Sequence, residues 1–148
     1  MSFDGKGLTV EQRDGKVYVS MENKLLFKSG SWAVGSEGKQ AIRQLAMVLE
    51  ENKDIAVLIE GHTDDDPYIG DSKLSGNWDL SVKRATSIVT LLLKNNGVIP
   101  ENITAAGKGQ YAPLVPNTSS SNRSKNRRIE VILAPKLDEI GKLLQDLD

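Results

Sequence analysis

Ile55-Ala56-Val57-Leu58-Ile59 is an unbroken apolar run, and Gly61-His62-Thr63-Asp64-Asp65-Asp66-Pro67 follows it almost at once. The run is too short for an independent helix and rich in β-branched residues, so it reads as a central strand buried on both faces. Polarity changes abruptly at Gly61, where the chain leaves the strand as a polar loop reaching about Gly76. Helical periodicity flanks this unit on both sides. Before it, Ile42, Leu45, Ala46 and Leu49 fall at i, i+3, i+4 and i+7; after it, Ala85, Ile88, Val89 and Leu92 share the same spacing. Ser36 with Glu37 is a good start for the first helix and Asn52 a stop. Asn77 can cap the second, which Asn96-Gly97 ends.

Further out, Val17, Val19 and Met21 alternate with Tyr18 and Ser20 as a half-buried strand does. The run Leu25-Leu26-Phe27 leads into the turn-rich Lys28-Ser29-Gly30-Ser31. Ile103 to Ala106 makes a short strand with Gly107-Lys108-Gly109 as a flexible exit. Tyr111 to Lys125 reads as loop with a helical turn near its end. Ile129, Val131 and Leu133 form a last strand, and Leu137, Ile140, Leu144 and Leu147 line one side of a last amphipathic helix. The fold expected is an α/β (α+β) two-layer sandwich, a mixed β-sheet of about four strands with helices packed on it. Residues 1–15, rich in Gly and charge, read as a loose lead-in, and residues 16–148 as one domain including the C-terminal helix.

A chain of 148 residues fits one domain with enough core to need no staple. It has no cysteine, which excludes disulfides, thiolate metal sites and cysteine nucleophiles. A formal charge of -1 gives no global bias toward nucleic acid or anionic membrane. No apolar stretch is long enough to span a bilayer, and MSFDGKGLTV lacks the apolar core of a signal peptide. The chain is therefore either cytoplasmic or a piece whose export signal and anchor lie elsewhere.

Three polar clusters can carry chemistry: the loop His62–Asp66, the helix start Asn77–Arg84 and the basic run Arg123–Arg128. The first leaves the carboxyl end of a buried strand, where open α/β sheets commonly place ligands. The second opens the next helix, so Asp64 and Arg84 can face one cleft. Left unmated, a carboxylate and a guanidinium suit a zwitterion: Asp64 accepts from an ammonium while the Arg84 fork donates twice to a carboxylate. The competing reading is that the two simply pair at the surface, an interaction worth little. The basic run is either a solvated face or a set of phosphate contacts, and the lack of interleaved aromatics and of basic surplus argues against nucleic acid. His62, the only histidine, invites acid–base catalysis, and Asp64-Asp65-Asp66 a divalent metal. Three successive loop residues cannot all point inward, however, so no metal or cofactor is expected, and His62 reads as a packing and hydrogen-bonding residue beside the site. Trp78 reads as a helix-start anchor more readily than as a ligand platform.

Gly61-His62-Thr63-Asp64, then Asn77-x-x-Leu80-Ser81-x-x-Arg84-Ala85, resembles the signature of the OmpA-like peptidoglycan-binding domains. Gly107-x-Gly109, Pro113, Asn117 and Arg123-x-x-Asn126-Arg127-Arg128-Ile129 continue the pattern in the same order, over about residues 17–134. The family includes the OmpA C-terminal domain, the lipoprotein Pal and the flagellar stator protein MotB. The long loop from Asp65 to Gly76 and the sequence Asn77-Trp78-Asp79-Leu80-Ser81 look more like the MotB branch. One departure is Asn122-Arg123 where many members have Gly-Arg.

The resemblance implies a non-catalytic periplasmic module that binds meso-diaminopimelate in the peptide stem of peptidoglycan and anchors an envelope protein to the outer membrane or cell wall of a Gram-negative bacterium. It implies that Asp64 takes the ligand's ammonium and Arg84 its carboxylate. Thr63, Asn77, Leu80 and Arg123 share the ligand-binding set; Arg127 lies beside the cleft, Asn126 helps to order it, and Arg128 points away. Membrane attachment is expected only through an anchor upstream, and oligomeric state stays open. The alternatives are a cell-wall hydrolase working through the His62–Asp66 loop, or specifically a flagellar-stator-type anchor.

Overall fold

Local sequence pattern accounts for each element of the computed structural model, which describes residues 7–27, 32–68 and 74–135. Strand β1 (Leu8–Arg13) turns back into β2 (Lys16–Glu22), and a helical turn α1 (Asn23–Leu26) follows. Helix α2 (Ser36–Glu51), strand β3 (Ile55–His62), helix α3 (Asn77–Leu92) and strand β4 (Ile103–Gly107) come next. The short helix α4 (Ser120–Asn126) and strand β5 (Arg128–Pro135) complete it. The last amphipathic helix read at 137–147 lies outside the described residues.

Among the described residues the sheet has five strands in the order β1-β2-β5-β3-β4, not about four. The additional strand, β1, falls in the stretch read as a loose lead-in. Asp14 and Gly15 both take positive φ, 52° and 76°, the geometry of a two-residue hairpin turn whose twist matches its strands. Leu8 then pairs with Met21 and Arg13 with Lys16. The sheet is mixed because β5 inserts antiparallel to both β2 and β3, while β3 and β4 run parallel through the α3 crossover.

Alternation along the inner strands divides the two faces. Val57, Ile59, Ile129, Val131 and Met21 turn to the helices and are buried with Ile42, Ala46 and Leu49 of α2 and Ala85, Ile88 and Leu92 of α3. Each large aliphatic among them contributes about 1.5–3 kcal/mol on burial. Helix starts shift slightly from the sequence reading: Gly35 and Gly76 hold the N-cap positions, and Ser36 and Asn77 are the first helical residues. At φ 136°, Gly76 takes a backbone conformation that side chains rarely allow, and Asn77 is left to use its amide elsewhere.

What places α3 is a pair of glycines. Gly61 on β3 and Gly107 on β4 are register partners under the helix. A Cβ on Gly61 would stand 2.0 Å from the Ser81 carbonyl oxygen, and one on Gly107 would stand 2.4 Å from Ser81 Oγ. The helix therefore rests on bare backbone, and Ser81, fully buried, ties it down: its hydroxyl donates to Trp78 O at 2.8 Å and accepts from the Gly109 N–H at 3.0 Å.

Candidate functional site

The close seat of α3 brings its first two turns against the end of β3. Thr63 N–H donates to Gly109 O and Lys108 N–H to Gly61 O, so the polar loop begins as a fixed extension of the sheet. Thr63 and Asp64 are 3% and 5% exposed, and Arg84 is 6% exposed. All three line a cleft of about 450 Å³ together with Asn77, Leu80 and Arg127. Asp64 and Arg84 thus face one cavity, as their sequence spacing suggested.

Asp64 does not stand unmated. Its Oδ2 accepts a hydrogen bond from Arg127 Nη1, and its Oδ1 accepts from the Asp66 N–H at 3.0 Å. The physical reason is burial: a carboxylate this enclosed requires donors, and it finds them at the end of α4 and in its own turn. Arg127 is 41% exposed along its side chain, so it reaches Asp64 from the solvent side of the cleft. Arg84 is buried over the Phe27 ring, with Cζ 5.4 Å from the centroid. Burial pushes the pKa of its guanidinium down to about 10, Tyr68 and Asp64 oppose this, and Arg127 adds to it. Arg84 still carries its charge at neutral pH.

Asn77, spared from capping, braces the loop. Its Nδ2 donates to Asp66 O at 3.0 Å and lies 3.3 Å from Gln110 Oε1 and 3.4 Å from Asp64 O. Two members of the sequence-derived set stand outside the cleft lining. Asn126, fully buried, accepts from the Leu114 and Val115 N–H groups and donates to Val115 O and Asn117 Oδ1, so it fixes the loop before α4. Arg123 pairs with Asp65 at 3.1 Å and Asp66 at 3.8 Å, clipping the outside of the loop. Arg128 points away into a buried network.

The cleft also takes residues that the sequence reading did not assign to the site: Asn23, Lys24, Phe27, Pro67 and Tyr68. Asn23 is the most informative. It is 7% exposed, and neither its amide nitrogen nor its oxygen has a hydrogen-bond partner among the described residues. Nothing local in Met21-Glu22-Asn23-Lys24 marks it, because the other wall of the cleft, built from Thr63, Asp64 and α3, is distant in sequence.

His62 alternates with Gly61 and so lies on the sheet face opposite α3. It is 3% exposed, with Nε2 3.1 Å from Glu60 Oε1 and 3.6 Å from Glu130 Oε2. Arg128 donates to Glu130 at 3.1 Å and to Ala112 O at 3.0 Å. Among the described residues, Glu60, His62 and Glu130 are the acidic and imidazole groups close enough to share an ion, not the Asp64–Asp66 run. His62 is hydrogen-bonded to Glu60, and Arg128 supplies a positive charge to Glu130. The His62 hydrogen bond holds the Glu60 carboxyl below its usual range.

The structure thus combines a charged cleft at the carboxyl end of an inner strand, a place where open α/β sheets commonly bind ligands, with a mixed-sheet sandwich. The chain belongs to the OmpA family, whose model matches residues 26–127. It resembles the MotB-like members in particular. Motility protein B of Bacillus subtilis (strain 168) is 33% identical over 118 residues, 80% of this chain and 45% of that protein. The crystal structure of the periplasmic domain of Helicobacter pylori MotB superposes with a TM-score of 0.84 at 26% identity, covering 99% of this chain and 94% of that one. The cell wall anchor of the T6SS from Pseudomonas aeruginosa gives a TM-score of 0.81 at 29% identity, covering 90% and 92%. The chain spans about half the length of the curated relatives it matches. No helix among the described residues is long and apolar enough to cross a membrane.

Proposed function

We propose that this module anchors an envelope protein to peptidoglycan in the periplasm, non-catalytically, by holding the free amino-acid head of meso-diaminopimelate in the peptide stem between Asp64 and Arg84. The observation that carries the reading is the shared cleft, lined by a buried carboxylate and a buried guanidinium. In a peptide stem the main-chain amines are consumed in amide bonds, while at least the terminal carboxylate stays free. Only the far stereocentre of diaminopimelate still presents an ammonium and a carboxylate on one carbon.

Charge supports the same ligand. Asp64, Arg84 and Arg127 together carry one net positive charge, which suits a ligand with more carboxylates than ammoniums. The incoming ammonium replaces Arg127 at Asp64, and Arg127, being half exposed, swings to a second stem carboxylate. The orphaned Asn23 amide offers N–H donors and an oxygen acceptor for the stem backbone, and satisfying it recovers about 1–3 kcal/mol of desolvation cost. Seating His62 in a buried network on the opposite sheet face favours an anchor over a hydrolase.

The test is co-sedimentation with purified sacculi and calorimetry with a diaminopimelate-containing tripeptide. Each charge-assisted contact contributes about 1.5–3 kcal/mol, so Asp64→Asn and Arg84→Lys should each weaken binding roughly 10- to 150-fold. Wild-type affinity in both variants, or soluble fragments released from sacculi, would remove the clamp.

A further inference from the structure

Beside the cleft lies a second feature that the stem reading does not use. Trp78 and Tyr111 stack with ring centroids 5.2 Å apart and an interplanar angle of 29°, yet they are 53% and 66% exposed. Val82, one turn along α3 from Trp78, is 43% exposed as well. A contiguous exposed apolar patch, unlike a singly exposed side chain, commonly marks a binding surface.

The pair is held in place rather than loose. Gly109, at φ 58°, lets the backbone pass beneath the rings, and a Cβ there would stand 3.2 Å from Trp78 Cδ2 and 3.5 Å from Tyr111 Cδ2. The same Gly109 donates its N–H to the buried Ser81 hydroxyl, which in turn donates to the Trp78 carbonyl. The platform is also continuous with the cleft. Asn77, which lines the cleft, is the residue before Trp78; Gln110, which Asn77 contacts at 3.3 Å, is the residue before Tyr111.

We propose that the Trp78–Tyr111 pair is a sugar platform that takes the glycan strand of the same polymer whose peptide stem enters the cleft; this rests on the wall-binding reading above. Flat, electron-rich ring faces attract the polarised C–H bonds on the apolar face of a hexose ring, while the sugar hydroxyls stay in water. No charged side chain needs a partner in such a contact, which fits a neutral N-acetylated amino sugar. Reach agrees: the diaminopimelate is the third stem residue from the sugar, and an extended chain covers about 3.3–3.6 Å per residue. A stem gripped at Asp64 would hold its sugar within about 10 Å of that grip, and the aromatic pair adjoins the cleft through Asn77 and Gln110.

The experiment measures affinity by calorimetry for three soluble probes: the stem tripeptide, the disaccharide-tripeptide and the disaccharide alone. Wild-type protein should bind the disaccharide-tripeptide about tenfold more tightly than the bare tripeptide. Trp78→Ala and Tyr111→Ala should each remove most of that tenfold gain and leave tripeptide affinity unchanged, and Trp78→Phe should keep part of it. Tyr111→Ala leaves α3 untouched, so it guards against mere disturbance of Asn77. An equal loss for both peptide probes would make the pair a prop for the cleft and overturn the platform, as would an intact tenfold gain in both variants. Wild-type self-association that Trp78→Ala abolishes, with the gain intact, would assign the patch to a second copy of the chain and overturn it too. A gain that survives Asp64→Asn but not Tyr111→Ala would leave the platform standing while the clamp falls.

Discussion

Replacing Gly61 with alanine tests the physical basis of the whole site. The added Cβ would lie 2.0 Å from the Ser81 carbonyl oxygen and 2.8 Å from its carbon, whereas ordinary contact begins at 3.4 Å. The obstacle is helix backbone, so no rotamer change relieves it, and α3 must rise from the sheet by about 1.4 Å, the difference between 3.4 and 2.0 Å. Overpacking of this kind costs about 1–3 kcal/mol, and a backbone clash belongs at the upper end, about 2–3 kcal/mol. For a domain of this size that is a fall in Tm of roughly 5–10 °C. The same lift carries Arg84 away from Thr63 and Asp64, so stem affinity should fall as well. Thermal unfolding by circular dichroism reads the first effect and tripeptide calorimetry the second. A Gly61→Ala protein with unchanged Tm and unchanged affinity would refute the idea that bare-backbone contact sets the cleft.

Two other perturbations follow from named contacts. Asn126→Ala removes four hydrogen bonds that fix the loop before α4 and leaves backbone groups to find water, so urea denaturation should show about 2–3 kcal/mol less stability. Because Asn126 stands outside the cleft lining, tripeptide affinity should change far less than in Asp64→Asn. The Glu60 carboxyl sits below its ordinary value of 4.5, chiefly through its hydrogen bond to His62, so the folded state binds its proton less readily than the unfolded state. That stabilisation is complete above about pH 4.5 and is lost as pH falls through the folded value. Glu60→Gln should therefore flatten stability-versus-pH below about 4.5 in denaturant titrations, and a wild-type slope in the variant would count against the assignment.

Particular residues show where sequence reading succeeds and where it stops. The run Ile55–Ile59 and the helical spacings at Ile42–Leu49 and Ala85–Leu92 declare their elements, because burial imposes a period that the order of residues reveals. The ordered motifs Thr63-Asp64, Leu80-Ser81 and Asn126-Arg127-Arg128 indicate the family, since close packing and charge both constrain those positions. The hairpin of β1 is legible too: Asp14-Gly15 between Leu8, Val10 and Val17, Val19 is a two-residue turn signal that a charge-rich surround obscures.

The sequence by itself determined the inner strands, the two long helices, their order and the charged residues available for binding, because periodicity and short motifs are local properties. Only the tertiary structure decided the partners. Arg127 reaches Asp64 across 63 positions, Asn23 arrives at the cleft from the end of β2, and Trp78 meets Tyr111 over Gly109. Such pairings depend on sheet order and on how closely one helix seats on two glycines. Those are products of the whole chain's packing, which no local spacing encodes.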